Sequence, residues 1–428
     1  MLYHIKRTMS KELRDKLIYD PIHGYMKFSG VVLHILDTVV FKRLQDIRQL
    51  GACYYVFPGA SHNRFEHSLG VAHLAEKMMN GIASRQPELQ ITPREIELIK
   101  IAGLCHDLGH GPFSHAFDNE ILPRLLGDTP YREHEWRSGQ LLRQIVKDRE
   151  LHFTEEELVF IETCIHPNPE EVHSRPFLYE IVSNATNGID VDKFDYLRRD
   201  PYNLGLDYHF NSDRLIDQAR VIEGHICFPE KLGSAIMQMA SVRYNFLRDI
   251  CNHPVVKAIE YMITDAILAA EPVLGLAEKT RQLDFTYVTD NILYTIKTGT
   301  DPRLAESKHI LNALCQRQMY HYVGEYKAAD VETARRFTKE GFRDSLLDQY
   351  KFDKEDYLIH YLHLSYSNTR TYPLESVGFY RLSEPDKVTR LHQDKLGMLL
   401  PETFCENTTV RIFSRRKHEA VQAAYDRL

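Results

Sequence analysis

The pair His106-Asp107 constrains this chain more than any other feature. The pair ends an apolar run with helical spacing that begins near Pro93, and a short segment rich in glycine and histidine follows it, up to His115. Adjacent imidazole and carboxylate groups supply both metal ligands and proton-transfer groups. A His-Asp pair at a helix end can equally be structural, so its meaning depends on what the rest of the chain brings to it.

The composition describes a globular chain with room for a deep core. It has 428 residues, of which 43% are hydrophobic and 26% charged, and this length predicts two or three domains. The net charge is -7, so a site for anions must gather its basic residues locally. The seven cysteines have no C-x-x-C spacing, which indicates reduced thiols and argues against a cysteine zinc site. With no apolar leader or membrane-length segment, the sequence predicts a soluble intracellular protein, cytoplasmic or nuclear.

The spacing of apolar residues predicts a mainly helical chain. Thr92, with Glu95 three residues later, has capping-box spacing and opens the helix that leads to the His-Asp pair. Tyr54 to Gly59 is expected to be an extended connector. The following helix begins after a cap at Ser61 or Asn63.

A second helix of interest is predicted to begin near Asp190. Pro201 is expected to stop it, because proline cannot donate the backbone hydrogen bond of a helix interior. Asp192, Tyr196 and Asp200 are four residues apart, so the helix would present them on one face.

The domain organisation follows from a shift in composition after about residue 326. We predict an N-terminal arm over residues 1–17, a helical core over 18–326 and a smaller α+β C-terminal lobe over 327–428. The short β-rich pieces of that lobe are Leu358 to Ser365, Val377 to Leu382 and Thr409 to Phe413.

Four side chains from three predicted helices form the candidate metal site. His67 is on one helix, His106 and Asp107 end another, and Asp192 begins the third. Two imidazoles and two carboxylates are nitrogen and oxygen ligands suited to Fe, Mn, Zn or Mg. Four protein ligands leave positions for water and a phosphate oxygen, as metal-assisted hydrolysis requires.

A second group of titratable residues follows the His-Asp pair. It comprises His110, His115, Asp118 and His134. Asp118 is three residues after His115, so the carboxylate could orient the imidazole as a general acid for a leaving oxygen. A surface aspartate and a capping histidine explain that spacing about as well.

Three basic residues are candidates for binding a polyphosphate. Arg64 and Lys193 lie next to predicted metal ligands, whereas nothing in its spacing distinguishes Arg243 from a solvated residue. Arginine offers phosphate a bidentate fork and lysine a point charge. Tyr196 and Asp200 could hydrogen-bond a sugar hydroxyl or a phosphate, with core packing and a solvated helix end as the plain alternatives.

Four segments together resemble a known family. They are Asp20-Pro21-Ile22-His23-Gly24, YYVFPGASHNRFEHSLG from Tyr54, IAGLCHDLGHGPFSH from Ile101 and FLYEIVSNATNGIDVDKFDY from Phe177. They closely resemble the sterile-alpha-motif and HD-domain protein family of deoxynucleoside triphosphate triphosphohydrolases, over most of residues 16–326. No room exists before Lys16 for a sterile-alpha-motif domain, so an HD-only member is expected.

The resemblance implies a mainly α fold, with an HD-domain helical core and the smaller α+β C-terminal lobe. It also implies hydrolysis of a dNTP to a deoxynucleoside and inorganic triphosphate, with a transition metal (Fe, Mn or Zn), Mg, and GTP or dNTP activators. A homo-oligomer, dimer or tetramer, is expected, together with weak single-stranded nucleic-acid binding and no membrane contact.

Matching positions assign the roles that the resemblance implies. His67, His106, Asp107 and Asp192 would hold the metal. His115 with Asp118 would be the acid, with His110 and His134 nearby. Arg64, Lys193 and Arg243 would bind phosphates, Gln49 and Asp200 the 3′-hydroxyl, and Leu50 and Tyr196 would line the pocket.

The chain also departs from the family pattern. Leu247 and Cys251 stand where the family has a His and a Tyr, and the Tyr helps to exclude a 2′-hydroxyl, so we expect a roomier sugar pocket. Asp37 keeps the effector pattern, whereas Lys42 and Gln45 replace a Gln and an Arg. The remaining expected effector contacts are Lys16, Arg214, Lys231, His253, Arg317 and Arg415.

Two other functions remain open from the sequence. One is an HD phosphohydrolase that acts on ribonucleotides, monophosphates or a cyclic nucleotide. The other is a nucleotide- or nucleic-acid-binding regulator whose HD site is vestigial, although the complete set of metal candidates argues against it.

Overall fold

The computed structural model of the protein describes residues 15–168, 170–171, 173–328, 355–366, 372–391 and 406–426. Of the predicted N-terminal arm, residues 1–14 lie outside the described residues, and Lys16 and Leu17 begin the first strand. Within the described ranges, no helix is both long enough and apolar enough to cross a membrane.

Helices make up most of the described chain, which confirms the predicted fold class. Their bounds are Val31–Leu36 (α1), Val39–Lys42 (α2), Arg64–Arg85 (α3), Pro93–Cys105 (α4), Leu122–Leu126 (α5), His134–Asp148 (α6), Glu155–Ile165 (α7), Val191–Leu204 (α8), Asp213–Gln218 (α9), Gly233–Phe246 (α10), Pro254–Leu274 (α11), Leu276–Arg281 (α12), Ile292–Thr298 (α13), Ala305–Cys315 (α14) and His418–Tyr425 (α15). Two π-helical turns, Phe117–Ile121 and Leu247–Cys251, lie beside the pocket described below.

Side-chain caps begin the helices that carry the site, two of them at predicted cap positions, Thr92 and Asn63. The hydroxyl of Thr92 accepts from the backbone N–H of Glu95, which completes the predicted capping box of α4. Asn63 caps α3 in the same way, with Glu66 as its partner. Asp190 caps α8 by accepting from the backbone N–H of Lys193. Each cap satisfies backbone donors that have no partner inside the helix.

The strands form three small sheets. Their bounds are Lys16–Asp20 (β1), Gly24–Phe28 (β2), Arg220–Ile222 (β3), His225–Pro229 (β4), His321–Ala328 (β5), Tyr357–Ser365 (β6), Gly378–Arg381 (β7), Glu384–Thr389 (β8) and Glu406–Ser414 (β9). β1 and β2 form a hairpin, β3-β4-β7-β8 form a second sheet and β5-β9-β6 a third. β3 and β4 form a hairpin that turns at Glu223-Gly224, and both turn residues have positive φ.

The last hundred residues are joined to the helical core through two of these sheets. β5 crosses the predicted boundary at residue 326 and pairs antiparallel with β9 over His321–Ala328. β7 pairs in parallel with β4, which belongs to the core. The division into an HD core and a C-terminal lobe at this position therefore stays a prediction.

The core sits among the helices that carry the site. α3 packs against both α4 and α8, and α11 packs against α14. Most of their buried apolar side chains belong to one large hydrophobic cluster. Because a close-packed core resists small displacements, it holds the ends of α3, α4 and α8 in fixed relative positions.

Two local expectations were wrong. The helix that begins after Asp190 continues through Pro201 to Leu204, and Gly205 ends it in the left-handed conformation, with φ of 65°. Pro201 is buried against the core, so packing offsets the lost hydrogen bond. The segment from Gly51 to Tyr55 is a 3-10 helix rather than the start of an extended connector, and its first three residues are buried.

Candidate metal centre and pocket

The four predicted metal ligands come together where three helices meet. His67 lies in the first turn of α3, His106 and Asp107 directly follow α4, and Asp192 is in the first turn of α8. Nε2 of His67 lies 3.1 Å from a carboxylate oxygen of Asp192, and Nε2 of His106 lies 3.5 Å from the same oxygen. One ligand atom from each of His67, His106 and Asp107 lies within 4.8 Å of the others.

Opposite charges stabilise the ionised forms of these buried groups. Burial alone would raise the pKa of Asp107, but Arg64 and His106 outweigh it and hold that pKa well below its ordinary range. Burial likewise opposes ionisation of Asp192, but hydrogen bonds from His106 and His67 lower its pKa. Although burial opposes a charged His67, hydrogen bonds to Asp192 and Asp195 raise its pKa to about 10.

These residues fit a divalent cation. Nε2 of His106 is buried and has no hydrogen-bond partner, although the ring is held by a 2.8 Å contact between Nδ1 and the Gly103 carbonyl. A buried ring nitrogen without a partner is costly unless a ligand completes it. Two imidazoles and two carboxylates are also a common donor set for Fe, Mn and Zn.

The second predicted group forms a separate cluster beside the first. His110, His115, Asp118 and His134 each place one ligand atom within 4.8 Å of the others. Nδ1 of His134 is 3.0 Å from Asp118, and the rings of His110 and His134 stack at 3.8 Å. The other Asp118 oxygen accepts from Arg137, which is fully buried. Asp118 therefore orients His134 most directly, and the predicted His115–Asp118 acid pair stays a prediction.

Burial and a nearby cation disfavour the protonated form of two histidines in this cluster, His115 and His110. Burial, followed by the Arg64 cation, lowers the pKa of His115 to about 4. The same two causes lower the pKa of His110 well below its ordinary value. Burial opposes ionisation of Asp118, but Arg137 outweighs it and keeps its pKa below the usual range. Both nitrogens of His110 are buried without a hydrogen-bond partner.

The three candidate phosphate-binding cations surround the same space, and each contacts protein groups. Arg64 donates to Asp107 and to Oγ of Ser114, the latter at 2.8 Å. Nζ of Lys193 is 2.8 Å from Asp190. Arg243 donates to the carbonyl of Ser365, at the end of β6, at 3.0 Å.

One pocket of about 640 Å³ is lined by the first cluster, by the three histidines of the second and by these cations, a volume suited to a nucleotide-sized molecule. Its wall also includes the predicted substrate contacts Gln49, Leu50, Tyr196 and Asp200 and the two departures from the family pattern, Leu247 and Cys251. Oε1 of Gln49 is buried without a hydrogen-bond partner. Burial raises the pKa of Tyr196 to about 12, so this phenol remains protonated.

The HD-domain family model matches residues 64–200, the span from Arg64 to Asp200. Human deoxynucleoside triphosphate triphosphohydrolase SAMHD1 is 35% identical over 460 residues, covering 97% of this chain and 73% of the human protein. The Dictyostelium discoideum SAMHD1 homolog is 35% identical over 426 residues, covering 98% of this chain and 81% of its own length. The chain belongs to the SAMHD1-like HD-domain proteins. The predicted family is thereby confirmed.

Sequence reasoning assigned no role to several residues that support the site of this SAMHD1-like chain. Nδ1 of His67 is 2.7 Å from Asp195, which also contacts His23 and Arg199. His62 lies 2.8 Å from Asp200 and occupies one of its carboxylate oxygens. Asp195 is three residues after Asp192 on α8, and this spacing could have pointed to a shared face.

The predicted effector contacts of this SAMHD1-like chain fall into two groups. Lys16, Asp37 and Lys42 lie together on the surface, and we call them the exposed triad: Asp37 is 3.7 Å from Lys16 and 3.0 Å from Lys42. The hydrogen bond from Lys42 lowers the pKa of Asp37.

The second group of effector candidates is spread over other elements. His253 accepts from the backbone N–H of Val255 and caps α11, and Arg415 donates to Asp265 at 2.8 Å. The others are Gln45 in a 3-10 turn, Arg214 in α9, Lys231 before α10 and Arg317 after α14. Their role as nucleotide contacts stays a prediction.

Proposed function

We propose that this protein is a metal-dependent hydrolase that converts a dNTP and water into a deoxynucleoside and inorganic triphosphate. The observation that carries the proposal is a single pocket containing both the His67–His106–Asp107 cluster and the basic residues Arg64 and Lys193. In this reaction water attacks the α-phosphorus, the bond to the 5′-oxygen breaks, and that oxygen takes a proton. Similarity to proteins named as dNTP triphosphohydrolases supports this reaction over other phosphate hydrolyses.

His67, His106, Asp107 and Asp192 hold a divalent transition metal, Fe, Mn or Zn, with Mg accompanying the triphosphate. When bound, such an ion supplies a Lewis acid for phosphate oxygens and lowers the pKa of a coordinated water. The protein itself keeps both carboxylates ionised, through Arg64 at Asp107 and the two histidines at Asp192.

Arg64, Lys193 and Arg243 bind the triphosphate. Each already lies in the pocket wall and contacts an oxygen of the protein, so a phosphate oxygen replaces or joins an existing acceptor. The guanidinium groups bind two oxygens at once and Lys193 acts as a point charge. These three residues gather positive charge in the pocket, although the net charge of the whole chain is -7.

His115 donates the proton to the leaving 5′-oxygen. Its pKa of about 4 belongs to a pocket that contains Arg64 but no triphosphate. A bound polyanion stabilises the imidazolium form and raises that pKa toward neutrality. Asp118 contacts His134 and His110, which belong to the same cluster as His115, and in this way it supports the acid.

The sugar binds against the wall formed by Gln49, Leu50, Tyr196 and Asp200. Gln49 has an unpartnered buried oxygen that can accept from a 3′-hydroxyl, and Asp200 keeps one oxygen available beside its contact with His62. Leu247 and Cys251 complete the wall without a side-chain ring. We therefore expect weaker discrimination against ribonucleotides than a tyrosine at residue 251 would give.

The deciding experiment uses the purified full chain, stripped of metal and reloaded with Mn, Fe or Zn in the presence of Mg. Each dNTP and rNTP is incubated with and without GTP, and the products are separated by chromatography. Nucleoside plus triphosphate is expected, with turnover reduced to background by His106→Ala. His209→Ala, at a histidine whose side chain is 86% exposed, is the control and should retain activity. Release of pyrophosphate, or no turnover with any metal, would contradict the proposal.

We also propose that a nucleotide activator binds at the exposed triad and promotes a homodimer or homotetramer. Light scattering of the full chain with and without GTP tests this directly. An increase in mass with GTP that Asp37→Asn abolishes is expected. An unchanged mass would contradict the proposed activation but would not contradict the proposed hydrolysis. Weak single-stranded nucleic-acid binding stays a prediction.

A further inference from the structure

Asp195 lies behind His67, on the opposite side of the ring from the other candidate metal ligands. Its Oδ2 is 2.7 Å from Nδ1 of His67, whereas Nε2 of that ring is 3.1 Å from Asp192. The Asp195 side chain is fully buried, so water does not compete for the contact. The two nitrogens of His67 therefore have separate partners with separate roles.

Arg199 holds the Asp195 carboxylate by a two-point contact. Its Nε donates to Oδ2 at 2.8 Å and its Nη2 donates to Oδ1 at 2.9 Å. A carboxylate paired with a guanidinium fork is restricted to accepting hydrogen bonds. Asp195 thus accepts from Nδ1–H of His67, so a metal would take the other ring nitrogen, Nε2, in place of a proton.

A second layer connects Asp195 to the β1–β2 hairpin. Nε2 of His23 lies 2.6 Å from Oδ1 of Asp195, and Nη1 of Arg199 donates to Asp20 at 2.7 Å. Asp20 in turn accepts from the backbone N–H groups of Ile22 and His23, which fixes the hairpin turn. The Asp20–His23 segment, conspicuous in the sequence, is therefore connected through Asp195 to the candidate metal ligand His67.

Gly70 gives separate support for this arrangement. It lies three residues after His67 on α3, where the Asp195 carboxylate crosses the helix surface. A Cβ at residue 70 would lie 1.9 Å from Oδ1 of Asp195 and 2.6 Å from Nη2 of Arg199. A side chain here would displace the carboxylate, so the glycine leaves the space that Asp195 occupies.

We infer that Asp195 is a positioning residue that fixes the tautomer and orientation of His67, with Nε2 directed at the metal, and that Arg199 and His23 hold Asp195 in place. The inference rests on the metal centre proposed above. Loss of such an outer partner lowers metal affinity by about 10- to 100-fold in proteins where it has been measured.

The test measures Co²⁺ binding to the metal-free full chain, by competition with a chelator and by the visible absorption of the bound ion. Asp195→Asn keeps the shape of the side chain but removes its charge, and we expect about 10- to 100-fold weaker binding and an altered Co²⁺ spectrum. Asp356→Asn is the matched control, since Asp356 is equally buried but pairs with Lys417 in the last lobe. That variant should bind Co²⁺ like the wild type.

His67→Ala separates this inference from the metal centre itself. If His67→Ala loses Co²⁺ while Asp195→Asn retains wild-type affinity and spectrum, the inference is overturned and the metal centre stands. If the wild type binds no Co²⁺, or His67→Ala binds normally, the metal centre fails.

Circular dichroism establishes whether Asp195→Asn folds. If it does not fold, the variants Arg199→Lys and His23→Asn are used to test the inference. Each weakens a contact that holds Asp195 in place but leaves Asp195 itself unchanged. Several-fold weaker Co²⁺ binding in both supports the inference, and wild-type affinity in both overturns it.

Discussion

The metal centre and the exposed triad are both clusters of charge, but the protein holds them in different ways. In the metal centre, Asp107 and Arg64 are almost completely buried and each has several polar partners. In the triad, the side chains of Lys16, Asp37 and Lys42 remain about half exposed. Water solvates the triad whether or not its pairs form, whereas the buried groups depend on one another.

Because of this difference, a substitution in the exposed triad should change stability little, whereas one in the metal centre should change it strongly. A surface ion pair contributes little because its members are well solvated when apart. Removing one member of a buried pair leaves a charge without solvent or partner. The triad is therefore free to change its partners when a ligand arrives, while the metal centre is preorganised.

Asp107→Asn should give the largest loss of stability. It leaves the buried Arg64 guanidinium without its carboxylate, and we expect the free energy of unfolding of the metal-free protein to fall by about 3–5 kcal/mol. Urea denaturation measures this loss. The matched surface change, Asp37→Asn, should cost less than about 1 kcal/mol. Equal losses in the two variants would remove the distinction between the regions.

Asp290 is a second buried carboxylate, and it lies farther from its cation than Asp107 does. It accepts from the backbone of Arg48 and Phe113, yet burial raises its pKa to about 6. Because the folded protein binds this proton more tightly than the unfolded chain does, the proton stabilises the fold below the unfolded pKa, near 4. That stabilisation is lost as the pH rises through the folded pKa of about 6. Relative to Asp290→Asn, the wild type should therefore lose about 2 kcal/mol between pH 4 and pH 7. Urea denaturation of both proteins across this range measures the difference, and a constant difference would contradict the prediction.

Gly70→Ala tests how tightly the interior network is packed. The added Cβ would overlap the Asp195 carboxylate, and we expect a loss of roughly 1–3 kcal/mol in thermal or urea unfolding. Gly81→Ala, on the same helix, is the control, because its Cβ meets only the flexible end of Arg85. That change should be neutral, or stabilising by up to about 1 kcal/mol. If both changes have the same effect, the close approach at Gly70 carries no cost.

Lys42→Ala should have the smallest effect. We expect a change in unfolding free energy below about 1 kcal/mol and unchanged turnover of the dNTP without added GTP, since the ion pair that Lys42 forms, at 3.0 Å, is with the exposed triad partner Asp37. Activation by GTP should weaken, as measured by turnover across a GTP titration. Lys387→Ala, at a lysine that is 70% exposed on β8, should change neither quantity. Loss of basal turnover in Lys42→Ala would place the triad in the catalytic machinery.

Features that depend on neighbouring residues were predictable from the sequence. The cap at Thr92 needs only a side chain and a backbone N–H three residues later, so spacing was sufficient. The start of α8 near Asp190 was likewise predictable from local sequence. Pro201 was misread because its tolerance depends on burial in the folded protein, which local propensity does not contain.

The sequence by itself determined the helical class, where the site-bearing helices begin and, through family resemblance, which residues are candidate ligands. Only the tertiary structure decided which groups support them. Asp195 is 128 residues from His67 and 172 from His23, and no periodicity connects such positions. Their contacts arise because packing of α3, α4 and α8 removes water from one small volume, where every remaining charge must find a partner within the protein.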